Sequence, residues 1–520
     1  MLDFLIKGGV VLEGSGKEPA ELNVGIAGDR ITHIGAESPA ARTVIDARGL
    51  MVSPGFIDAH AHSEFTLLAD GRAEGKLSQG VTTEVNGNCG LSAAPLHGEA
   101  FARREADCEE LGIGERWSAF RDYFSLLKTR GIALNFTTLC GHGNVRASVT
   151  GYRNVPPGPE EAQEMRRLLR GAVEQGARGL STGLIYPPGV YSSTEELVEL
   201  ARVPAESGGI YASHMRSEGD ALLESIGEVL RIGKEAGVRV HISHIKTSGE
   251  KNWGKAEEAI GLIEQGRSAG LAVTCDRYPY VAASTDLDTV LPSWVYEGGA
   301  EEEVKRLRDP ETAAKIRKEL AGKDEAYWKG VSISSVVCAE NKWMEGESLF
   351  AVAEREGKDP LDALFALLIA ERVRTGAIFF SMSEDNLRKF LSLPYTMIGS
   401  DSSVRSFSGT TCSGKPHPRG FGSFPRFLGR YVREERLMGL PEAIRRVSSL
   451  PAQTFGLQER GMLREGFYAD ITVFDYEKII DTATFKDPFR KAEGIGYVFV
   501  NGIPAVREGA FTGSRSGRVL

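Results

Sequence analysis

Five short stretches of the chain carry residues able to hold a metal ion. In Gly55-Phe56-Ile57-Asp58-Ala59-His60-Ala61-His62 two histidines stand one residue apart. Alternate residues of a strand share a face, so both imidazoles can aim at one point. Cys89 sits in Gly87-Asn88-Cys89-Gly90, where the tight glycine turn favours a thiolate ligand over the small apolar filler that a buried cysteine more often is. His214 closes Tyr211-Ala212-Ser213-His214, and His244 closes Val240-His241-Ile242-Ser243-His244. His241 competes with His244, since a spacing of three places them on opposite strand faces; His244 is favoured because it lies nearer the strand end. Asp401 follows an apolar run in Gly399-Ser400-Asp401-Ser402. By default such an aspartate forms a turn, but beside a cation it becomes both ligand and proton carrier. Together His60, His62, Cys89, His214, His244 and Asp401 offer donors for one or two divalent ions, and nitrogen with sulfur favours zinc. Zinc lowers the pKa of water toward about 7, which makes hydrolysis the natural reaction class.

These residues need strands to position them. Apolar strand-like runs occur at 55–62, 81–89, 133–140, 178–184, 210–214, 238–244, 272–276 and 396–401. Amphipathic helical stretches such as Pro159 to Gly176 and Leu222 to Gly237 separate them, the rhythm of a parallel sheet or barrel. The expected class is α/β, with a (β/α)₈ TIM-like barrel over 53–455 and its chemistry at the carboxyl ends of the strands. Further strand-like runs at 331–338 and 377–382, with a charged helical stretch at 300–322, exceed what a barrel needs, so an insertion is expected near 286–350. Short alternating runs between 2 and 50, and again from Tyr468 to Gly502, read as antiparallel strands. They predict one small β domain assembled from both termini, 1–52 and 456–520.

Composition narrows the partners. The 520 residues are 41% hydrophobic and 26% charged, and the net charge of −9 contains no basic block. Neither nucleic acid nor an anionic membrane is expected. The opening MLDFLIKGGVVLEGSG lacks the basic-then-apolar order of a secretory leader, and no window supplies the apolar run of a membrane span. The six cysteines form no CxxC pair, which fits a reducing, cytoplasmic setting.

The motifs resemble those of the amidohydrolase superfamily, and within it the D-aminoacylase, or N-acyl-D-amino-acid deacylase, family. The resemblance spans nearly the whole chain. It rests on Pro54-Gly55-Phe56-Ile57-Asp58 with the paired histidines, Gly87-Asn88-Cys89-Gly90, Gly141-His142-Gly143, Ser181-Thr182-Gly183-Leu184 with Tyr186-Pro187-Pro188, Ser213-His214-Met215-Arg216, Ile242-Ser243-His244 with Lys246, Tyr278-Pro279-Tyr280, Gly399-Ser400-Asp401 and His417-Pro418-Arg419. It implies a tightly held zinc on Cys89, His214 and His244, with His60, His62 and Asp401 shaping a weaker second divalent position. Many superfamily members bridge two metals with a carbamylated lysine on the fourth strand; Gly179 to Tyr186 contains no lysine, which strengthens the role of Cys89. The resemblance also implies that Lys246, Tyr278, Ser284 and Arg419 meet a free substrate carboxylate, with Tyr186 beside the same pocket. Arginine can grip a carboxylate through two parallel hydrogen bonds. The 402–418 segment is longer than the family pattern, and Glu84 stands unexplained inside an apolar strand run.

The implied reaction is hydrolysis of the amide bond of an N-acyl-D-amino acid, with Asp401 moving the proton and His142 near the oxyanion. The partner is a small molecule with a free carboxylate. A dipeptidase-like amidohydrolase releasing a C-terminal D-amino acid is the alternative within enzymes. A cyclic-amide hydrolase is disfavoured by the missing lysine, and a non-catalytic barrel scaffold by the presence of all six donors together.

Overall fold

The computed structural model describes residues 1–520. Its centre is a ring of parallel strands: Phe56–Asp58, Val81–Asn86, Asn135–Thr138 continued by Cys140–Gly141, Gly179–Gly183, Ile210–His214, Arg239–Ile242, Val273–Arg277 and Thr396–Ile398. The ring closes between its last and first strands, where Ala59 N donates to Ile398 O at 3.2 Å and Ala61 bridges Ser402 in parallel. Every strand expected for the barrel is present. Ile57, Val85, Leu139, Ala212 and Met397 fill the interior and pack with Phe455 below, so one end is plugged and the carboxyl ends form the open mouth.

The surrounding helices follow the apolar periodicity. Leu222, Ile226, Val229 and Gly233 form the buried stripe of Leu222–Ala236, which ends where Gly237 takes a left-handed φ of 67°. Pro159–Glu174 starts at a proline, and Glu161 reaches back to Gly158 N at 2.8 Å. The charged stretch at 300–322 is two helices, Ala300–Arg308 and Pro310–Leu320, because Pro310 cannot continue the first.

The insertion is larger than its expected window. Strands Ala282–Asp286, Val331–Ser335 and Gly376–Phe380 form an antiparallel sheet of their own, and residues from Leu287 to Ala377 make a separate apolar core. Its strands carry the same apolar signature as barrel strands, which is why the sequence does not reveal where the unit ends. Strands from both termini share one nine-stranded sheet. That sheet is mixed rather than wholly antiparallel: Leu2–Val11 pairs in parallel with both Ala41–Asp46 and Met51–Pro54. The last residues leave it to run beside the third barrel strand, with Leu520 N donating to Phe136 O at 2.9 Å.

Candidate metal centre and active site

At the mouth, three ligand candidates sit where the backbone turns sharply off a strand. Cys89 (φ 52°), His244 (φ 35°) and Asp401 (φ 52°) all have left-handed backbones without being glycine. Such strain persists only where surrounding structure enforces it, and it concentrates at functional sites. At Gly90, beside Cys89, an added Cβ would lie 2.7 Å from Gly183 N, so the turn cannot carry a larger residue.

The donors converge. His60 Nε2 lies 3.3 Å from Cys89 Sγ and 3.5 Å from Asp401 Oδ1, and Cys89 Sγ lies 3.4 Å from His244 Nε2. One ligand atom from each of His60, Cys89, His244 and Asp401 falls within 4.8 Å of all the others. His62 Nε2 meets Asp401 Oδ1 at 3.1 Å. His214 stands on the opposite side of His244, with ring centroids 4.4 Å apart, and neither of its buried nitrogens has a hydrogen-bond partner. An imidazole orphaned beside a thiol and a second imidazole fits a cation-binding site, because a buried polar group without a partner is otherwise costly. His241 is turned away from this cluster, onto Thr274 and Asp276.

The electrostatics match this donor set. Burial opposes ionisation of Cys89, yet His60 and His244 hold its thiol well below the ordinary range. Against burial, the Asp276 carboxylate raises His60, and hydrogen bonds to Asp401 and Cys89 push His62 up to about 9. Asp401 stays ionised despite burial because Arg419 and His244 flank it. A site crowded with thiolate, carboxylate and imidazole holds protons that a divalent cation displaces on binding.

Two contacts in this shell escaped the sequence reading. Asp276, at the end of the seventh barrel strand, accepts from His60 Nδ1 at 3.0 Å and thereby fixes which nitrogen faces the cluster. It obeys the strand-end rule that selected His214, so a signal existed. Glu218 lies 2.8 Å from His244 Nδ1 and is ion-paired with Lys246. It comes from a loop and carried no signal.

The residues implied for substrate binding line the same mouth, a cavity of about 950 Å³. Arg419 Nη1 lies 2.8 Å from Asp401 Oδ2, in a geometry too bent for a hydrogen bond, while Nη2 donates to the Ser284 carbonyl at 3.2 Å. The Tyr278 hydroxyl is buried without a partner, and its ring lies 4.6 Å from the Arg419 guanidinium and 6.0 Å from Lys246 Nζ. Tyr186 packs its ring 5.1 Å from that of His214 and bonds Thr285 through its hydroxyl. His142 does not line this cavity: its Nε2 meets Glu196 at 2.9 Å, and its buried Nδ1 has no partner.

Residues 43–506 match the family model described as "Amidohydrolase family". The chain belongs to the amidohydrolase family. This amidohydrolase is 39% identical to the D-aminoacylase of Alcaligenes xylosoxydans xylosoxydans, over 100% of its own length and 97% of that protein's. It superposes, with a TM-score of 0.85, 36% identity and full coverage of both chains, on a solved D-aminoacylase whose binuclear centre is described as activated by one metal and attenuated by a second. It also matches the N-acyl-D-glutamate deacylase of Bordetella bronchiseptica, solved with zinc and a phosphonate mimic of the tetrahedral intermediate, at a TM-score of 0.84, 35% identity and coverage of 100% and 99%.

Lys76 also explains Glu84. Its Nζ contacts Asp58 Oδ2 at 2.7 Å, Glu84 Oε1 at 2.6 Å, Ser400 Oγ at 2.9 Å and Ser402 O at 3.1 Å. Asp58 and Glu84 point the opposite way from Ile57 and Val85, so this cation lies on the outer side of the barrel wall and ties the first, second and eighth strands together.

Proposed function

We propose that this chain is a zinc-dependent deacylase that hydrolyses N-acyl-D-amino acids to a carboxylate and a free D-amino acid. The observation that carries the reading is Cys89, a thiolate set between His60 and His244 at the mouth of the barrel, with Asp401 on one side and an orphaned His214 on the other. The named activities of relatives matching over the full length support it.

Cys89, His214 and His244 would hold one zinc ion tightly, with His60, His62 and Asp401 flanking a weaker position; activation of a relative by one metal supports that division. Zinc bound there supplies a Lewis acid and lowers the pKa of water. Asp401, ionised and facing the same point, takes the proton of the attacking water and hands it to the leaving nitrogen, which is too poor a leaving group without it. Arg419, Lys246 and the free Tyr278 hydroxyl converge on one side of the cavity, and a substrate carboxylate there would satisfy them. Tyr186 and Ser284 complete the wall.

No helix is long and apolar enough to cross a membrane. A reducing compartment such as the cytoplasm suits six free cysteines, of which Cys89 must stay unoxidised to serve as a ligand.

The test is a panel of N-acetyl-D-amino acids, their L enantiomers and the matching D-amino-acid amides, scored for free amine after zinc loading. Hydrolysis confined to the D series, and strongly reduced when the carboxylate becomes a neutral amide, is expected. Equal turnover of D and L forms, or indifference to the carboxylate, would remove the reading.

A further inference from the structure

The cavity carries two kinds of charge, and they differ in how they are paired. Several of its basic groups are engaged: Lys246 with Glu218, Lys251 with Asp220 at 2.8 Å, Arg104 with Asp107 at 2.6 Å. The insertion contributes the cation Lys323, which lies over the Tyr327 ring at 3.6 Å, and three acids. Asp286, Asp288 and Glu303 line the same cavity, and none of their carboxylates has a hydrogen-bond or ion-pair partner on the protein. Glu303 is 3% exposed, and its buried Oε1 is orphaned. Asp286 precedes a short helical turn, Leu287–Val290, without capping it. Arg103, on the facing helix, lies over the Tyr152 ring at 5.6 Å instead of pairing with any of the three.

An unpaired buried carboxylate is costly, and two more beside it add repulsion. Burial pushes the carboxyls of Asp288 and Glu303 up and neighbouring acids raise them further, while the Arg103 cation acts the other way. The fold keeps this arrangement although no helix cap or internal salt bridge uses it. A ligand cation is the partner that would offset the cost.

The position says which part of a substrate would bring that cation. Strand Ala282–Asp286 leads outward from the carboxylate side of the site: the Ser284 carbonyl holds Arg419, the Thr285 hydroxyl holds Tyr186, and Asp286 comes next. Two residues of strand advance about 7 Å, a reach that a lysine-length side chain or an aminoacyl group spans.

We infer that Asp286, Asp288 and Glu303 form a cation subsite, so that this enzyme acts best on N-acyl-D-amino acids bearing a positive charge away from the α-carboxylate. The inference rests on the deacylase reading above. Its chemistry is shared by two substrate types, one with a basic side chain on the D-amino acid and one with an amino group on the acyl part, as in a dipeptide.

The experiment compares kcat/KM of the zinc-loaded full chain on N-acetyl-D-norleucine, N-acetyl-D-lysine and glycyl-D-norleucine. The second adds a charge to the side chain and the third adds one to the acyl group. The native enzyme should prefer one charged substrate over the neutral one, and which one it is locates the charge. In Glu303→Gln and in Asp286→Asn the charged-to-neutral ratio should fall about tenfold or more, the scale of one desolvated charge contact. Asp286 is exposed, so its substitution does not threaten the fold. A native enzyme that cleaves the neutral substrate as well as both charged ones, or a ratio unmoved in both variants, overturns the cation subsite alone. Failure to cleave any of the three overturns the deacylase reading and the subsite with it.

Discussion

The outer wall of the barrel and its inner mouth carry buried polar groups built on opposite rules. Outside, Lys76 reaches four oxygens on three strands, 2.6 to 3.1 Å away, and neither it nor Asp58 nor Glu84 is exposed. Inside, at the mouth of the same barrel, His214 at the end of the fifth strand keeps two nitrogens without partners, and Tyr278 just beyond the seventh keeps its hydroxyl free. A buried cation surrounded by acceptors is a cross-link, and here it clamps the seam where the eighth strand meets the first. Donors left open in a buried site are held ready for something that is not protein. The outer group thus fixes the backbone at Asp58 and Ser400, and the inner group projects His60 and Asp401 from the residues next along. Removing the inner residues should cost chemistry, and removing the outer ones should cost the fold.

The largest effect belongs to Cys89→Ala. Loss of the only sulfur in the cluster should abolish tight zinc binding and turnover together, because thiolate and imidazole donors on separate strands make a catalytic zinc site. Elemental analysis alongside a deacylation assay checks this. Full zinc content with full turnover would break the assignment of the inner group to metal.

Asp401→Asn should lower kcat by about 10²-fold to 10⁴-fold, the range attributed to general acid–base catalysis, while most of the tightly held zinc remains. Circular dichroism and zinc content establish that the variant is folded and loaded. Native-like turnover in such a sample would exclude Asp401 as the proton carrier.

Lys76→Met tests the other side of the wall. It leaves Asp58 and Glu84 buried without their shared cation, and breaking a buried ion pair in this way costs about 3–5 kcal/mol. Denaturant unfolding should show that loss, while the fraction still folded binds zinc and turns over substrate within a few-fold of the native enzyme. A variant of native stability that has lost its zinc would reverse the comparison.

The sequence disclosed these two groups unequally, for physical reasons. His60, Cys89, His214, His244 and Asp401, which the fold brings to one mouth, could be picked out because barrel chemistry sits at strand ends and each stands at or just beyond an apolar run. Seven of the barrel strands needed no more than apolar runs and spacing, and the eighth, Thr396–Ile398, was found the same way despite the inserted sheet before it. The insertion's extent was hidden because its strands alternate as barrel strands do. Glu84 looked anomalous because its partner Lys76 is on a four-residue helix, Glu74–Leu77, too short to leave a periodic pattern.

The smallest effect expected is also the one that links ligand to loop. Glu218 contributes no strand-end signal, yet it lies 2.8 Å from His244 Nδ1 and pairs with Lys246. Lys246 Nζ also lies 2.8 Å from that nitrogen, and the Glu218 charge beside both raises the basicity of the nitrogen that faces the metal. Glu218→Gln keeps the size and one acceptor oxygen but removes the charge, so it should weaken zinc affinity about 10-fold to 100-fold without abolishing binding. Chelator competition measures that affinity directly, apart from turnover. Because Lys246 also loses its counter-charge, KM for a substrate carboxylate should not rise in proportion. If the chief role of Glu218 were instead to hold Lys246 for substrate, zinc affinity would stay native while KM alone changed. That pattern would detach Glu218 from the metal centre and assign it to the carboxylate pocket.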